Sequence, residues 1–246
     1  MIKIKNLKAQ VNSKKILKGV SLDFDIGKNY CLLWQNGSGK STLSSILMWN
    51  PKYEVTEWTV KIWKENLLEL SPSYRSKAGL FLSFQNVPEI SWIKLSEFLR
   101  TIYNIHLKNN KPEVKELSPF IFKRFVKKHL DELNIDEAFL NRDLNVWFSG
   151  WEKRKIEILQ MKLINPKYII LDEIDSGLDL DAFRDVVKLL EWLNDETNTL
   201  IVITHYFKIL DYIDMDKIYI MEDWMIIKEG GKELVDTIKS KGYKNL

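Results

Sequence analysis

Hydrophobic and polar residues follow patterns that predict strands in both terminal thirds of the chain. A period of two predicts strands at Ile2–Leu7 and Leu17–Phe24, each with one buried and one exposed face. Continuous apolar runs predict buried strands at Asn29–Leu33 and Tyr168–Leu171, because such runs are typical of strands that helices cover on both faces. Further strands are predicted at 60–63, 80–84, 199–203, 217–221 and 225–228.

Segments with a helical period separate these strands. Helices are predicted at 40–48, 95–106, 120–133, 180–194 and 231–241, and over about fourteen residues after Gly150. Strands that alternate with helices indicate an α/β fold with a mostly parallel sheet, whose chemistry lies at the carboxyl ends of its strands. We expect one domain, 1–246, with a core of 1–85 and 165–246. The lysine-rich part at about 86–164 is expected to form a helical subdomain.

The loop between the third strand and the first helix matches a phosphate-binding sequence at all but one position. It reads Trp34, Gln35, Asn36, Gly37, Ser38, Gly39, Lys40, Ser41 and Thr42. In the pattern G-x-x-x-x-G-K-[ST], small residues let backbone N–H groups converge on phosphates, while the lysine binds phosphate oxygens and the hydroxyl binds Mg²⁺. The helix that begins at Lys40 adds the positive end of its dipole. The sequence therefore predicts a nucleotide-binding protein with Trp34 in place of the leading glycine.

Polar residues end two other strands of the predicted sheet. Asp172 and Glu173 follow an apolar strand, where Asp172 can hold Mg²⁺ through water and Glu173 can act as general base on an attacking water. His205 follows the strand at 199–203 and could reach a γ-phosphate. Two simpler interpretations stay open: the carboxylates could cap a strand-to-loop junction, and a lone histidine at a strand end is more often structural.

Two further segments are candidates for the same chemistry. Gln85 ends the strand at 80–84 and could reach both the metal and the attacking water, although a single glutamine is as often structural. Ser149 and Gly150 open a helix, whose free N–H groups could bind a second anion. By itself, the segment 176–179 is typical of a turn followed by a helix cap.

Composition argues against nucleic-acid binding, membrane insertion and the binding of an iron–sulfur cluster by this chain alone. The net charge of +3 comes from interspersed charges of both signs, which does not indicate a nucleic-acid-binding protein. The N-terminus leads into no long apolar run, so we expect a cytoplasmic protein without direct membrane insertion. Cys31 lies in an apolar strand, where a buried structural thiol is expected. One cysteine cannot form a disulfide framework or hold an iron–sulfur cluster alone.

Tryptophan is unusually frequent and glycine is unusually rare. The chain has nine tryptophans and ten glycines, and the two counts together come close to the usual glycine share of about 7%. Several tryptophans occupy loops and helix ends where glycine is ordinary. These observations indicate an anomaly in the written sequence, with tryptophan at positions typical of glycine.

The motifs resemble, in their order along the chain, those of ABC-type ATPases. They are the Walker A loop at 34–42, Gln85, the signature-like segment 148–152, the Walker B carboxylates 172–173, the segment 176–179, and His205. Other segments are similar to SufC, the ATPase of the SUF iron–sulfur cluster assembly system. These are 53–56, 83–86, 172–179, 204–206 and 210–213. The resemblance covers essentially the whole chain.

This resemblance implies an ABC-type nucleotide-binding domain with a mostly parallel P-loop core sheet, an N-terminal antiparallel β part and a helical subdomain. It implies ATP and Mg²⁺ as ligands, with Ser41, Gln85 and Asp172 serving the metal. It also implies a transient head-to-tail homodimer, in which Ser149, Gly150 and Trp151 of one subunit face the γ-phosphate bound by the other. Asp179 is implied as a further nucleotide contact. SufB-like and SufD-like scaffold proteins are the implied partners. The ATPase subunit of a membrane ABC transporter is the alternative.

The comparison with SufC-like chains leads to a hypothesis about the tryptophans. Eight of them stand where such chains usually carry glycine, and they are 34, 49, 58, 63, 92, 147, 151 and 224. A gene that reads UGA as glycine, translated with UGA as tryptophan, would produce this pattern. If the tryptophans are real, Trp151 should wedge the dimer interface, and the chain would be a non-hydrolysing nucleotide-binding relative.

Overall fold

The structure, a computed structural model, describes residues 1–34, 40–174, 180–193 and 195–241. The chain divides into two compact units. The first consists of Met1–Phe84, Pro166–Asp175 and Asn194–Leu246, and the second of Gln85–Asn165 and Ser176–Leu193. The expected α/β class, with parallel core strands and an antiparallel β part, is confirmed.

The helices and strands are named here in chain order. They are β1 (Ile2–Val11), β2 (Lys14–Phe24), β3 (Tyr30–Trp34), α1 (Lys40–Leu47), β4 (Glu54–Ile62), β5 (Glu65–Asn66), α2 (Pro72–Lys77), β6 (Leu80–Ser83), β7 (Ile90–Lys94), α3 (Leu95–Asn110), α4 (Pro119–Glu132), β8 (Asp143–Leu144), α5 (Gly150–Ile164), β9 (Tyr168–Asp172), α6 (Leu180–Leu193), β10 (Thr199–Thr204), β11 (Lys217–Glu222), β12 (Met225–Gly230) and α7 (Lys232–Lys241). Short 3-10 helices lie at Leu67–Glu69, Glu137–Asn141 and Lys208–Asp211.

A six-stranded sheet forms the centre of the first unit. Its strand order is β12-β11-β3-β10-β9-β6, and every neighbouring pair is parallel except β11 with β12. All five residues of β9 and all six of β10 are buried, which explains their continuous apolar sequence. Cys31 in β3 is also buried, as expected. Because β3, β9 and β10 are parallel neighbours, their carboxyl ends share one edge of the sheet.

The first unit also contains an antiparallel sheet in the order β2-β1-β4-β5. Alternate residues of β1 face the core, so Ile2 and Ile4 are buried while Lys3 and Lys5 are exposed. β1 continues to Val11, beyond the predicted end at residue 7. The pairing of β1 with β2 shifts register between Ile4 and Leu7. This irregularity interrupts the period of two, which explains why the sequence pattern did not predict the second half of the strand.

A buried arginine closes the C-terminal end of helix α1. Arg75 in α2 is 1% exposed, and its Nη1 donates to the carbonyl oxygens of Ile46 and Leu47 at 2.7 and 2.8 Å. Its Nε donates to the carbonyl oxygen of Leu70 at 2.8 Å. Burial lowers the pKa of Arg75 to about 10, so the guanidinium remains charged at neutral pH. A fixed cation therefore stabilises the negative end of the helix that begins at Lys40.

The second unit is mainly helical. Helices α3, α4 and α5 contact one another, and the short strands β7 and β8 pair in antiparallel fashion. The predicted helices at 95–106 and 120–133 are confirmed as α3 and α4 with slightly different ends. The sequence did not predict β7 and β8. All five residues of β7 are exposed, so they show no alternation of buried and exposed positions, and β8 has only two residues. Among the helices in the described ranges, none combines the length and apolarity that crossing a membrane requires.

Candidate nucleotide-binding site

The shared edge of β3, β9 and β10 brings three predicted site residues together. Thr204 pairs with Leu33, and Ile203 pairs with Asp172, so the three strands end nearly level. Asp172 is the last residue of β9, Glu173 follows it, and His205 follows β10. Parallel strands that end together present the residues after them to a common space. This placement follows the sequence prediction for the first unit.

The carboxylate of Asp172 is held by a serine that the sequence analysis missed. Asp172 is 3% exposed, and its Oδ2 accepts a hydrogen bond of 2.7 Å from Ser44 Oγ. Ser44 lies one helical turn after Lys40 in α1 and is 1% exposed. A small polar residue on the apolar face of a helix is the signal that could have revealed it. The bond fixes one end of the carboxylate relative to α1.

Glu173 and His205 form a second polar pair. Glu173 Oε1 lies 3.1 Å from His205 Nδ1, and their side chains are 6% and 18% exposed. When Nδ1 carries the proton, it donates to the carboxylate, and Nε2 is left as the acceptor of the neutral ring. The pair places a carboxylate and an imidazole, both groups that transfer protons, directly after two neighbouring strands.

The backbone of Glu173 is in an unusual conformation. Its φ is +49°, in the left-handed region that costs a residue with a Cβ of order 1–3 kcal/mol. Its N–H donates to the carbonyl oxygen of Ile203 at 2.9 Å. This bond extends the pairing of β9 with β10 by one residue and holds Glu173 against the sheet. Strain of this kind is concentrated at functional sites.

Several predicted site residues are described only in part. Gln35, Asn36, Gly37, Ser38, Gly39 and Asp179 lie outside the described residues. For Trp34, Lys40 and Ser41, the structure describes the backbone alone. Trp34 ends β3 and Lys40 begins α1, which agrees with the predicted strand, loop and helix order. Thr42 is 5% exposed.

The remaining predicted residues belong to the second unit. Gln85 is the first residue of the second unit, and it is exposed. Ser149 caps α5: its Oγ accepts from the N–H of Glu152 at 3.2 Å, and its own N–H donates to Glu152 Oε2 at 2.7 Å. Gly150 is the first residue of α5, and a Cβ added to it would meet nothing within 4 Å. Trp151 is half-buried, with Lys155 Nζ 5.0 Å from the centre of its ring.

The donor chemistry at the sheet edge fits Mg²⁺ and a polyphosphate. Mg²⁺ prefers carboxylate and hydroxyl oxygens, usually with retained waters, and Asp172 supplies a buried carboxylate at this edge. Helix α1 begins directly after the loop, so its N-terminal N–H groups and dipole favour a bound anion. The residues present are therefore suited to Mg²⁺ with a nucleotide.

Sequence comparison decides the family. The ABC transporter family matches residues 17–176. The chain belongs to this family. A relative described as a probable ATP-dependent transporter, ycf16, of Cyanophora paradoxa is 46% identical, and the match covers 99% of this chain and 93% of that protein. The vegetative protein 296 of Bacillus subtilis is 40% identical over 98% of this chain and 90% of that protein.

Solved structures show the same fold. A dimeric ATP-binding cassette in a post-hydrolysis state, bound to ADP and Pi, has a TM-score of 0.75 at 22% identity. The match covers 94% of this chain and 98% of that one. With the ABC transporter family established, the chain is an ABC ATPase that binds and hydrolyses ATP. ABC cassettes form dimers, as the solved neighbour illustrates.

Proposed function

We propose that this ABC ATPase hydrolyses Mg-ATP to power iron–sulfur cluster assembly on a SufB-like and SufD-like scaffold. The SufC-like segments of the sequence support the proposal. A relative named iron-sulfur cluster assembly protein SufC, of Plasmodium berghei, is 40% identical over 94% of this chain and 62% of that protein. The main support for the proposed ATP hydrolysis is the cluster of Asp172, Glu173 and His205 at the carboxyl ends of neighbouring strands.

Each residue of the cluster has a proposed role. Asp172 would hold Mg²⁺ through water, together with Ser41 and Gln85, and Ser44 keeps the Asp172 carboxylate in position. Glu173 accepts the proton of the attacking water, and His205 orients that carboxylate through the 3.1 Å contact. Lys40 binds phosphate oxygens. Bound Mg²⁺ would supply charge neutralisation at the phosphates.

A head-to-tail dimer completes the proposed site. In it, the helix start at Ser149 and Gly150 of one subunit faces the γ-phosphate bound by Lys40 of the other, and Trp151 lies in the same interface. Asp179 is proposed as a further nucleotide contact. The capping box at Ser149 supports this role, because it fixes the direction of the first turn of α5. Hydrolysis then separates the subunits, and the resulting motion drives the scaffold.

The alternative function is that of the energy-coupling subunit of a membrane transporter, as the names of several relatives suggest. Co-purification from the native source distinguishes the two. A tagged chain is expected to retain a scaffold pair in the fraction obtained without detergent. Retention of an integral membrane protein instead, from the detergent extract of the membrane fraction, would identify a transporter subunit. A catalytically impaired variant, Lys40→Ala, serves as control, because the substitution changes only the start of α1 at the nucleotide loop and should retain the same partner.

We further propose that the functional protein carries glycine where the chain has most of its tryptophans. Five of the nine tryptophans have a φ between +57° and +70°, and they are 49, 63, 92, 147 and 224. A left-handed backbone costs an L-residue about 1–2 kcal/mol and costs glycine almost nothing. The backbone at these positions therefore has the conformation that glycine favours.

The C-terminal end of helix α1, at Trp49, shows the preference for glycine most clearly. The N–H of Asn50 donates to the carbonyl oxygen of Ser45 at 2.8 Å, and that of Trp49 donates to Ile46 at 3.1 Å. These two bonds are those of a Schellman motif, in which the left-handed residue after the helix is usually glycine. Trp49 occupies that position with a φ of +66°.

The turn between β11 and β12 gives a second case. Glu222 pairs with Met225, so Asp223 and Trp224 form a two-residue turn, with φ values of +46° and +64°. A turn with two positive φ values strongly prefers Asn-Gly or Asp-Gly. With glycine at 224, the sequence of this hairpin becomes Asp-Gly.

Other aromatic residues do not share this property. The chain has eleven phenylalanines, and none of them has a positive φ in the part that the structure describes. The remaining positive-φ residues other than glycine are mostly asparagine and aspartate, which tolerate this region. The tryptophans therefore behave as glycines do, which supports translation of UGA as glycine in the source organism.

The mass of one peptide from natively produced protein tests this proposal. The segment Asp143 to Lys153 contains Trp147 and Trp151. We expect glycine masses at both positions. Tryptophan masses would refute the recoding and would favour the non-hydrolysing relative, with an indole in the dimer interface.

A further inference from the structure

Helix α5 contains a buried ion pair that the proposed roles above do not use. Arg154 Nη1 lies 2.6 Å from Glu157 Oε2, and the two side chains are 5% and 4% exposed. Removing two charges from water is costly, and a buried pair is often no more stabilising than apolar residues of similar volume. Fold stability alone is therefore a weak reason for this pair.

The same guanidinium reaches the segment that begins the second unit. Arg154 Nη2 donates to the carbonyl oxygen of Gln85 at 3.1 Å. A guanidinium is a rigid, planar fork, so the bond to Glu157 on Nη1 fixes the direction of Nη2. The peptide group that follows Gln85 is thereby held to the first turns of α5. The side chain of Gln85 is exposed, and its backbone is anchored by a buried cation.

Two other contacts hold the residues that follow Gln85. Asn145 Nδ2 donates to the carbonyl oxygen of Pro88 at 2.9 Å. Lys153 Nζ lies 2.7 Å from Glu89 Oε1, in a pair that is partly exposed to solvent. These contacts tie down the segment as a whole, whereas Arg154 acts on the peptide group of Gln85 itself.

We propose that Arg154, oriented by Glu157, is a positioning residue for Gln85. The inference rests on the proposed function, in which the Gln85 side chain serves Mg²⁺. Fixing the carbonyl of Gln85 restricts the backbone from which that side chain extends, so fewer conformations compete with the one that reaches the metal. The same bond links Gln85 to the helix that begins at Gly150, so the two predicted motifs are joined within the second unit.

The test separates positioning from mere stability. The double variant Arg154→Met/Glu157→Leu replaces the pair with apolar side chains and is expected to keep the fold, as such replacements often do. The single variant Arg154→Lys keeps a cation without the planar fork. Both are made in the glycine form, which is the full chain with glycine at the eight positions 34, 49, 58, 63, 92, 147, 151 and 224.

The first readout is binding of a fluorescent ATP analogue at increasing Mg²⁺ concentration, and the second is ATP turnover. We expect the Mg²⁺ concentration for half-maximal binding and turnover to rise about tenfold in both variants, as for other residues that orient metal ligands. Binding without Mg²⁺ should not change. Lys153→Gln, which breaks the exposed pair with Glu89, should leave the Mg²⁺ dependence unchanged.

Each outcome has a definite meaning. Normal Mg²⁺ dependence in the double variant, with or without a lower melting temperature, would overturn the positioning role. A glycine form that binds nucleotide but shows no Mg²⁺-dependent turnover would instead contradict the proposed function. The unsubstituted glycine form therefore distinguishes the two failures.

Discussion

Glycine at positions 49, 63, 92, 147 and 224 should raise the free energy of unfolding by roughly 5 kcal/mol over the chain as written. Each left-handed tryptophan costs about 1–2 kcal/mol, and the greater freedom of glycine in the unfolded chain cancels a part of each gain. The indoles at 92 and 147 contribute little burial, because they are 93% and 87% exposed. The expected gain is comparable with the whole stability of a marginal domain, about 5–15 kcal/mol. Denaturant unfolding of the two proteins measures it.

Alanine at the same five positions is the matched control. Alanine removes each indole but keeps the Cβ that opposes a positive φ, so it should recover only a small part of the stability. Equal gains from alanine and glycine would show that the indoles, rather than the backbone, are the source of the strain. That result would remove the main structural support for glycine at these positions.

Replacing Glu173 with glutamine in the glycine form should lower ATP turnover by about 10²–10⁴-fold and preserve nucleotide binding. Glutamine has nearly the same shape but cannot accept the proton of the attacking water, and general-base catalysis is worth this factor. The neighbouring contact with His205 can persist through the amide oxygen. Phosphate release and equilibrium binding of ATP, measured on the same preparation, separate the two effects.

Glu222→Gln is the control for this prediction. Glu222 ends β11, which lies beside β3 in the same sheet, and it is exposed. The same chemical change at another strand end of this sheet should leave turnover unchanged. Normal turnover in Glu173→Gln would show that another group accepts the proton and would remove Glu173 from the mechanism.

The sequence predicted which residues lie together at the carboxyl ends of the strands, because this placement depends on local patterns. Continuous apolar runs identified β3 and β9 as buried strands, and β10 was predicted as a further strand. Because strands alternate with helices, the sheet was expected to be mostly parallel, so residues at the carboxyl ends of these strands then had to meet. This reasoning correctly placed Asp172, Glu173 and His205 together in the first unit. It required no knowledge of distant contacts.

Features that depend on tertiary contacts could not be predicted. Arg75 looks like an ordinary surface residue in the sequence, and its burial arises because α2 packs against the end of α1. Ser44 gains its role only when α1 lies against β9. The link from Arg154 to Gln85 joins residues 69 positions apart, without a periodic signal in either segment.

The tryptophans show a different relation between sequence and structure. Their number indicated an anomaly, and family resemblance suggested glycine at eight positions. Neither argument uses the backbone conformation at these positions. The positive φ values at five of these positions are an independent physical reason for glycine, because they arise from helix ends and turns.

ATP turnover by the glycine form, measured over a range of protein concentrations, tests the central claim most directly. A head-to-tail dimer needs two subunits for each site, so we predict Mg²⁺-dependent phosphate release whose rate per subunit rises with protein concentration. The rate should be lost in Lys40→Ala. Folded glycine form that binds ATP but releases no phosphate at any concentration would contradict the account of this chain as a hydrolysing ABC ATPase.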